Sequence, residues 1–247
     1  MHPILFKIHG ITLYSYGLSV ALAMMLTLYL ASRRSAKAGI RYSDAVDLLF
    51  VIFISGMAGA RLFYVLQHWD SFRTDPVAAF RFTEGGLVWY GGFLSSVFSG
   101  VVFCRYKKEP VLRWADFFAP LLAFAHALGR VGCFLNGCCY GARVDSFLGV
   151  RFPDETFGRH PVQIYESLAL AGLGAALLIL SAKKRHPGEI SAFYLLGYGF
   201  LRFVLEFLRG DQDLYFYLTI PQWISVSLVI FSILFLKYVR ASHDHTR

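Results

Sequence analysis

Charge is what this chain has least of. Only 16% of its 247 residues are Asp, Glu, Lys or Arg, while 56% are hydrophobic; a soluble globular domain carries about a quarter charged residues. Together with a mean hydropathy of +0.52, that scarcity excludes an ordinary soluble domain and predicts a membrane protein. Cysteine is scarce too, with four residues in all: Cys104 stands alone and Cys133, Cys138 and Cys139 stand together. Their C-x4-C-C spacing matches no common zinc pattern and no clustered histidines complete one, so no metal site and no cofactor is expected. The lack of a C-x-x-C pair argues against a thiol oxidoreductase, and vicinal Cys138 and Cys139 bridge each other only through a strained ring. No lysine lies midway along the last apolar run, which argues against a Schiff-base photoreceptor, and no internal repeat of the transporter kind is visible.

What is present is a series of apolar runs, at residues 11–31, 45–66, 87–104, 115–128, 164–182, 190–207 and 222–239. Most approach the ~20 residues that cross a hydrocarbon core, and the shorter fourth gains length if it extends into the glycine-rich stretch after it. The expectation is an all-α polytopic membrane protein of about seven transmembrane helices, one domain over 1–247 with outer connections at 67–86 and 140–163. Lysine and arginine sort by connection. Arg33, Arg34, Lys37 and Arg41, then Arg105, Lys107, Lys108 and Arg113, then Lys183, Lys184 and Arg185, then Lys237, Arg240 and Arg247 lie on one side, while Glu84, Asp145, Asp154 and Asp211 dilute the other. Positive charge stays cytoplasmic, which places the N-terminus outside and the C-terminus inside. The net charge of +8 follows from this bias rather than from nucleic-acid binding, although basic groups beside a bilayer also favour anionic lipids. The first run has no positively charged n-region and no small-residue cleavage site, so it is expected to be a retained span.

Chemistry collects where spans end. Gly129-Arg130-Val131-Gly132-Cys133-Phe134-Leu135-Asn136-Gly137-Cys138-Cys139-Tyr140-Gly141 sets an arginine, an asparagine and three thiols at the close of the fourth run. Its glycines allow tight turning and close approach to a ligand, so it reads as the floor of a site or as a turn whose polar groups satisfy one another. Arg61 falls within the second run, where an arginine costs at least ~2.5 kcal/mol unless it faces the interior or water; snorkelling outward is the alternative. Residues 67–85, through Phe80-Arg81-Phe82, interleave aromatics with charges as a surface-lying amphipathic segment does. The pairs Gly85-Gly86 and Gly91-Gly92 bracket Trp89-Tyr90 and mark close backbone packing or a ligand surface. Glu166, one turn inside the fifth run, is either paired or a favourable charge at a helix start. Arg202, Glu206 and Arg209 stand at i, i+4 and i+7, on one helix face with a net positive charge. Guanidinium forks suit phosphate oxygens, so Arg61, Arg130, Arg202 and Arg209 point to the headgroup phosphate of an anionic membrane lipid, bound by an enzyme or by a lipid-moving protein.

With these residues in order the chain resembles the prolipoprotein diacylglyceryl transferases of the bacterial plasma membrane. The resemblance runs through Tyr16-Gly17-Leu18, Gly59-Ala60-Arg61, Tyr64-Val65-Leu66, Gly91-Gly92, Gly129-Arg130, Gly132, Phe134, Asn136-Gly137 and Gly141. It continues through Arg159-His160-Pro161, Gln163, Tyr165-Glu166, Gly197-Tyr198-Gly199, Arg202, Glu206-Phe207, Arg209 and Gln222. It implies a seven-helix inner-membrane enzyme, open toward the outer leaflet, that moves the diacylglyceryl group of phosphatidylglycerol to the lipobox cysteine of a prolipoprotein peptide and releases glycerol phosphate. Arg130 and Arg202 are implied on the lipid phosphate, with Tyr16, Asn136, Glu206 and Arg209 shaping the site. The expected catalytic set is Tyr90, Arg130, Arg202, Glu206 and Cys138; the expected substrate-binding set is Tyr16, Arg61, Asn136, Gly141, Arg209, His160 and Glu166.

The departures fall at the chemistry. Tyr90-Gly91-Gly92 stands where the family usually has His-Gly-Gly, and a phenol of pKa ~10 is a poor base at neutral pH. Cys133 and Cys138 stand where an asparagine and a glutamate are usual. The cysteines read either as a nucleophile or base surrogate activated by arginine or as small apolar fillers, with Glu166 and Glu206 as the other candidate bases. A divergent member with another acceptor, and a non-catalytic anionic-lipid-binding protein, stay open beside the transferase.

Overall fold

A computed structural model describes residues 1–8, 11–81, 85–153, 155–183, 185–209 and 213–244; Phe82 and the charges Glu84, Asp154, Lys184, Asp211 and Arg247 lie outside the described residues. The chain is mostly helical: α1 Ser15–Ala38, α2 Tyr42–Gln67, α3 Trp69–Phe72, α4 Trp89–Tyr106, α5 Val111–Asn136, α6 Val162–Ser181, α7 Glu189–Glu206 and α8 Ile220–Asp244. Among the described residues three antiparallel pairs punctuate the helices: β1 Ile4–Ile8 with β2 Ile11–Tyr14, β3 Val150–Arg151 with β4 Gly158–Arg159, and β5 Leu214–Tyr215 with β6 Leu218–Thr219.

Among the described residues five helices are long and apolar enough to cross a membrane: Ser15–Ala38, Tyr42–Gln67, Val111–Asn136, Val162–Ser181 and Ile220–Ser242. With them the chain is a multi-pass membrane protein. The third and sixth expected runs form α4 and α7, each of 18 residues, about 27 Å at 1.5 Å per residue. They read as less apolar because α4 is diluted by glycine, serine, Trp89 and Tyr90, and α7 carries Glu189, Arg202 and Glu206.

The fold consists of two compact units, residues 31–114 and residues 1–30 with 115–247. In the first, α2 and α4 pack through their glycines. A Cβ at Gly91 would lie 2.5 Å from the Gly59 carbonyl oxygen, and one at Gly59 would overlap Ser95, so the two backbones touch where side chains would hold them apart. Ser96 Oγ donates to Ile52 O at 2.8 Å and Ser55 and Ser99 hydroxyls meet at 2.6 Å, which replaces the water these groups lose. The Gly91-Gly92 pair is therefore a packing device. Lys107 and Arg41 close the other end on Asp44, each at 2.7 Å.

In the second unit Asp116 of α5 caps α7: its carboxylate accepts from Gly188 N at 2.6 Å and from Ser191 N at 2.8 Å. That satisfies N–H groups a helix start leaves orphaned, and the negative charge suits the dipole there. Ala119, Leu177 and Ile190 form a core between α5, α6 and α7. At the start of α8, Thr219 N donates to Gln222 Oε1 at 2.9 Å and Gln222 N donates back to Thr219 Oγ1 at 3.3 Å, a reciprocal capping box.

One expectation is met and one changes. The fourth run does extend into the glycine-rich stretch: α5 continues to Asn136, and the reversal waits for Gly137 at φ +75°, while Gly132 serves packing rather than turning. A Cβ at Gly132 would sit 2.8 Å from Ser19 Cβ and 3.2 Å from the Tyr16 ring. Arg209, however, does not share a helical face with Arg202 and Glu206, because α7 ends at Glu206. Arg209 follows in a turn whose N–H donates to the Glu206 carbonyl at 3.0 Å.

Candidate active site

Three helices of the second unit bring charge together below the surface. His126 and Arg130 are four residues apart on α5 and so project from one face. Opposite them on α6, Glu166 is almost fully buried, with Oε2 2.9 Å from Arg130 Nε and Oε1 3.8 Å from His126 Nε2. Ser167 Oγ donates to Ala127 O at 2.9 Å and fixes α6 against α5 at this level. On α7 the Glu206 carboxylate, wholly buried, meets Arg202 Nη2 at 2.7 Å and accepts from Thr219 Oγ1 at 3.2 Å. Tyr198, one turn before Arg202, faces the His126 ring at 5.4 Å between centroids and stacks on Tyr194 at 6.2 Å. Arg130 and Arg202 both act electrostatically on His126 and Tyr198, so the two ion pairs belong to one group.

Arg202 Nη1 is buried and has no hydrogen-bond partner among the described residues. A buried guanidinium N–H without an acceptor carries a desolvation cost of about 1–3 kcal/mol or more. An anion with several acceptor oxygens removes that cost.

Beyond α5 the chain is held by its own backbone. Cys138 N donates to Cys133 O at 3.1 Å, and buried Gln163 of α6 donates through Nε2 to Cys138 O at 2.6 Å. Asn136 at the helix end is exposed, and its side chain hydrogen-bonds the Cys138 thiol. The Cys133, Cys138 and Cys139 sulfurs all lie within 4.8 Å of one another. A hydrogen bond from Cys133 holds the Cys139 thiol below the ordinary cysteine range, with Arg130 and Arg209 acting in the same sense; burial pushes Cys138 up. Gly141 follows, its N–H on His160 O at 2.9 Å, and a Cβ there would lie 2.5 Å from Leu208 O, so only glycine fits between these strands of chain.

The model of the prolipoprotein diacylglyceryl transferase family matches residues 3–238. The chain is similar to the phosphatidylglycerol–prolipoprotein diacylglyceryl transferase of Clostridium tetani, 33% identical over 239 residues that cover 94% of this chain and 96% of that protein. It is similar to transferase 2 of Clostridium perfringens, 33% identical with 95% and 94% covered, and to the enzyme of Streptococcus pneumoniae strain JJA, 32% identical with 96% and 94% covered. The chain belongs to the prolipoprotein diacylglyceryl transferase family.

Within this transferase fold the expected residues divide. Arg130, Glu166, Arg202 and Glu206 are brought together as described, Arg209 and Asn136 act on the cysteines after α5, and Tyr16 is half exposed beside Gly132. His160 is partly buried with Nδ1 3.4 Å from the Tyr165 hydroxyl. Arg61 and Tyr90 belong to the other unit. Arg61 does not present its guanidinium as a free anion hook: Nε donates to Ala79 O at 2.8 Å, Nη2 to Ala78 O at 2.6 Å and Nη1 to Gly85 O at 2.6 Å. An arginine buried at depth is satisfied here by carbonyls of the connection it ties down. Tyr90 is 57% exposed, edge-on to Trp89 at 5.2 Å. The residue that sequence reading missed is His126. Its signal was available, a histidine inside an apolar run one turn before Arg130, but the run was read for length alone.

Proposed function

We propose that the chain is a phospholipid-dependent transferase that moves the diacylglyceryl group of phosphatidylglycerol to the cysteine thiol of a prolipoprotein lipobox peptide. The observation that carries this reading within the family is the paired arrangement of Arg130–Glu166 and Arg202–Glu206. Each glutamate holds one edge of a guanidinium and leaves the rest of the fork to a phosphate, Arg202 Nη1 above all. In the reaction the acceptor sulfur attacks the glyceryl carbon that bears the phosphate ester. The C–S bond forms as the C–O bond breaks, and glycerol phosphate leaves with the bonding electrons. Its phosphate gains charge along that path, and donors already aimed at it stabilise the transition state more than the ground state. Glu166 and Glu206 position the arginines, while Tyr16, Asn136, Gly141, His160 and Arg209 border the space for the glyceryl group and the peptide.

The same proposal includes seven spans, with α4 and α7 as the two beyond the five long helices. A helix lined with site charges scores as a poor span while still crossing within a protein interior, since ionisable groups are tolerated there when paired. It also takes residues 1–247 to act as a single transmembrane domain in the bacterial inner membrane, N-terminus outside, C-terminus inside and the site open to the outer leaflet. The distribution of lysine and arginine supports that orientation.

The test uses the full chain in nanodiscs with phosphatidylglycerol labelled in its headgroup glycerol and a lipobox peptide. Release of labelled glycerol phosphate that needs the peptide cysteine and is lost in Arg130→Ala supports the reading. Lipid binding without release in the wild-type protein overturns it.

A further inference from the structure

The sequence spacing of Cys133, Cys138 and Cys139 matches no familiar metal pattern, yet the fold draws their three sulfurs within 4.8 Å of one another. Two backbone features do this. Gly137 at φ +75° reverses the chain directly after α5, and Cys139 takes a left-handed φ of 64°, a conformation that costs a non-glycine residue about 1–3 kcal/mol and persists only where the surroundings enforce it. The enforcing contacts are visible: Cys138 N on Cys133 O at 3.1 Å, and Gln163 Nε2 on Cys138 O at 2.6 Å from a side chain almost wholly buried. Thiols that served only as apolar fillers would not need a strained turn and a buried amide to aim them at one another.

Three sulfurs about one point are a ligand set. Zinc–sulfur bonds of about 2.3 Å in tetrahedral geometry place sulfurs about 3.8 Å apart, a small adjustment of side-chain rotamers from the distances present. A divalent ion on three thiolates leaves one net negative charge, and Arg130 and Arg209 act electrostatically on Cys139, which offsets it. Cys139 is exposed and the other two are partly buried, so the set is open on one side. Three protein ligands with one open position is the pattern of a reactive metal centre rather than a closed structural one.

We infer that Cys133, Cys138 and Cys139 bind a thiophilic divalent ion of the zinc class whose fourth position takes the acceptor's cysteine sulfur. The inference rests on the transferase reading for its acceptor, and it answers what that reading leaves open, how the thiol is ionised with Tyr90 in place of the usual histidine. A metal-bound thiol is deprotonated outright. The acceptor S–H proton passes to a metal-bound hydroxide, which leaves as water as sulfur takes its place. The bound sulfur then attacks the glyceryl carbon, the C–O bond breaks, and glycerol phosphate leaves with the electron pair. The thioether product, neutral and a weaker ligand, gives way to water, which returns to hydroxide by giving a proton to the departing glycerol phosphate, and no oxidation state changes.

The experiment uses the full chain in nanodiscs, reduced, stripped with chelator and titrated with Co2+ alone. The expected result is one equivalent bound with intense sulfur-to-cobalt charge-transfer absorption, bleached by Zn2+ and lost in Cys133→Ser, Cys138→Ser and Cys139→Ser. Addition of a lipobox peptide then raises the absorption from that of three sulfur ligands to that of four, and the peptide with serine for cysteine does not. Absence of thiolate absorption in the wild-type protein overturns the site, and absorption indifferent to the cysteine peptide overturns its role toward the acceptor. Both readouts are spectroscopic and need no turnover and no variant to fold. If they hold while no glycerol phosphate is released, the transfer reading fails and the metal site stands.

Discussion

Arg202 offers the sharpest separation between a structural and a functional ion pair. Its Nη2 is held by Glu206 at 2.7 Å while its Nη1 is buried without a partner among the described residues, so one guanidinium faces two ways. Lysine keeps the charge that compensates Glu206 but presents a compact point charge, which cannot hold the carboxylate and a phosphate across the width of a fork. Arg202→Lys is therefore expected to unfold near the wild-type temperature and to lose about 10²–10³ in kcat, or about 2.7–4 kcal/mol, the scale for one preorganised donor at a developing charge. Arg202→Met removes the charge and strands Glu206, whose side chain is 0% exposed; stranding a buried charge costs about 3–5 kcal/mol. The double variant Arg202→Met/Glu206→Leu removes both charges, and most of that stability should return, since apolar replacement of a buried pair is often neutral, while transfer stays absent. Headgroup release at saturating lipid and peptide, read beside thermal unfolding of each variant in nanodiscs, gives both numbers. A double variant that transfers at the wild-type rate, or an Arg202→Lys protein with undiminished kcat, refutes the argument that the guanidinium acts on phosphate.

Two further substitutions test the parts around it. Arg61→Ala removes the donors that tie down the carbonyls of Ala78, Ala79 and Gly85. Charge-assisted bonds are worth about 1.5–3 kcal/mol each, so limited proteolysis should cut the connection after α2 faster than in the wild type; an unchanged cutting rate would show that the tether is idle. Thr219→Val removes both the cap of α8 and a donor to Glu206. It should lower stability by about 1 kcal/mol and reduce transfer less than Arg202→Lys does, as thermal unfolding and headgroup release will show.

How much of this was legible in the sequence depends on the residue. The five long helices followed from hydropathy, since a membrane-spanning helix announces itself by length. Glu206 with Arg202 was visible as an i, i+4 pair, and Glu166 was expected to need a partner. That its partner is Arg130 was not, because that contact joins α5 to α6 and no local spacing encodes it. Arg209 was misplaced by one assumption, that a helical face continues to the last charge; α7 stops at Glu206, one turn earlier. The glycines of the stretch after Gly129 carried no mark to separate turn-makers from packing sites. Only the structure shows that Gly132 makes room for α1 while Gly137 reverses the chain. Arg61 was rightly read as needing an interior partner, but the partners are backbone carbonyls, which every residue owns and no sequence pattern displays. The cysteines were set aside as metal ligands on their spacing and the lack of clustered histidines, and a left-handed residue at position 139 brings together what spacing would keep apart.

In the proposed reaction a glyceryl carbon moves from a phosphate ester to a thiol. The most direct measurement is the intact mass of a lipobox peptide after incubation with the protein and phosphatidylglycerol of defined acyl chains, before and after hydroxylamine. The expected result is a gain of one diacylglyceryl group that survives hydroxylamine, as a thioether does. An unmodified peptide, or an adduct of a single acyl chain that hydroxylamine removes, would contradict it.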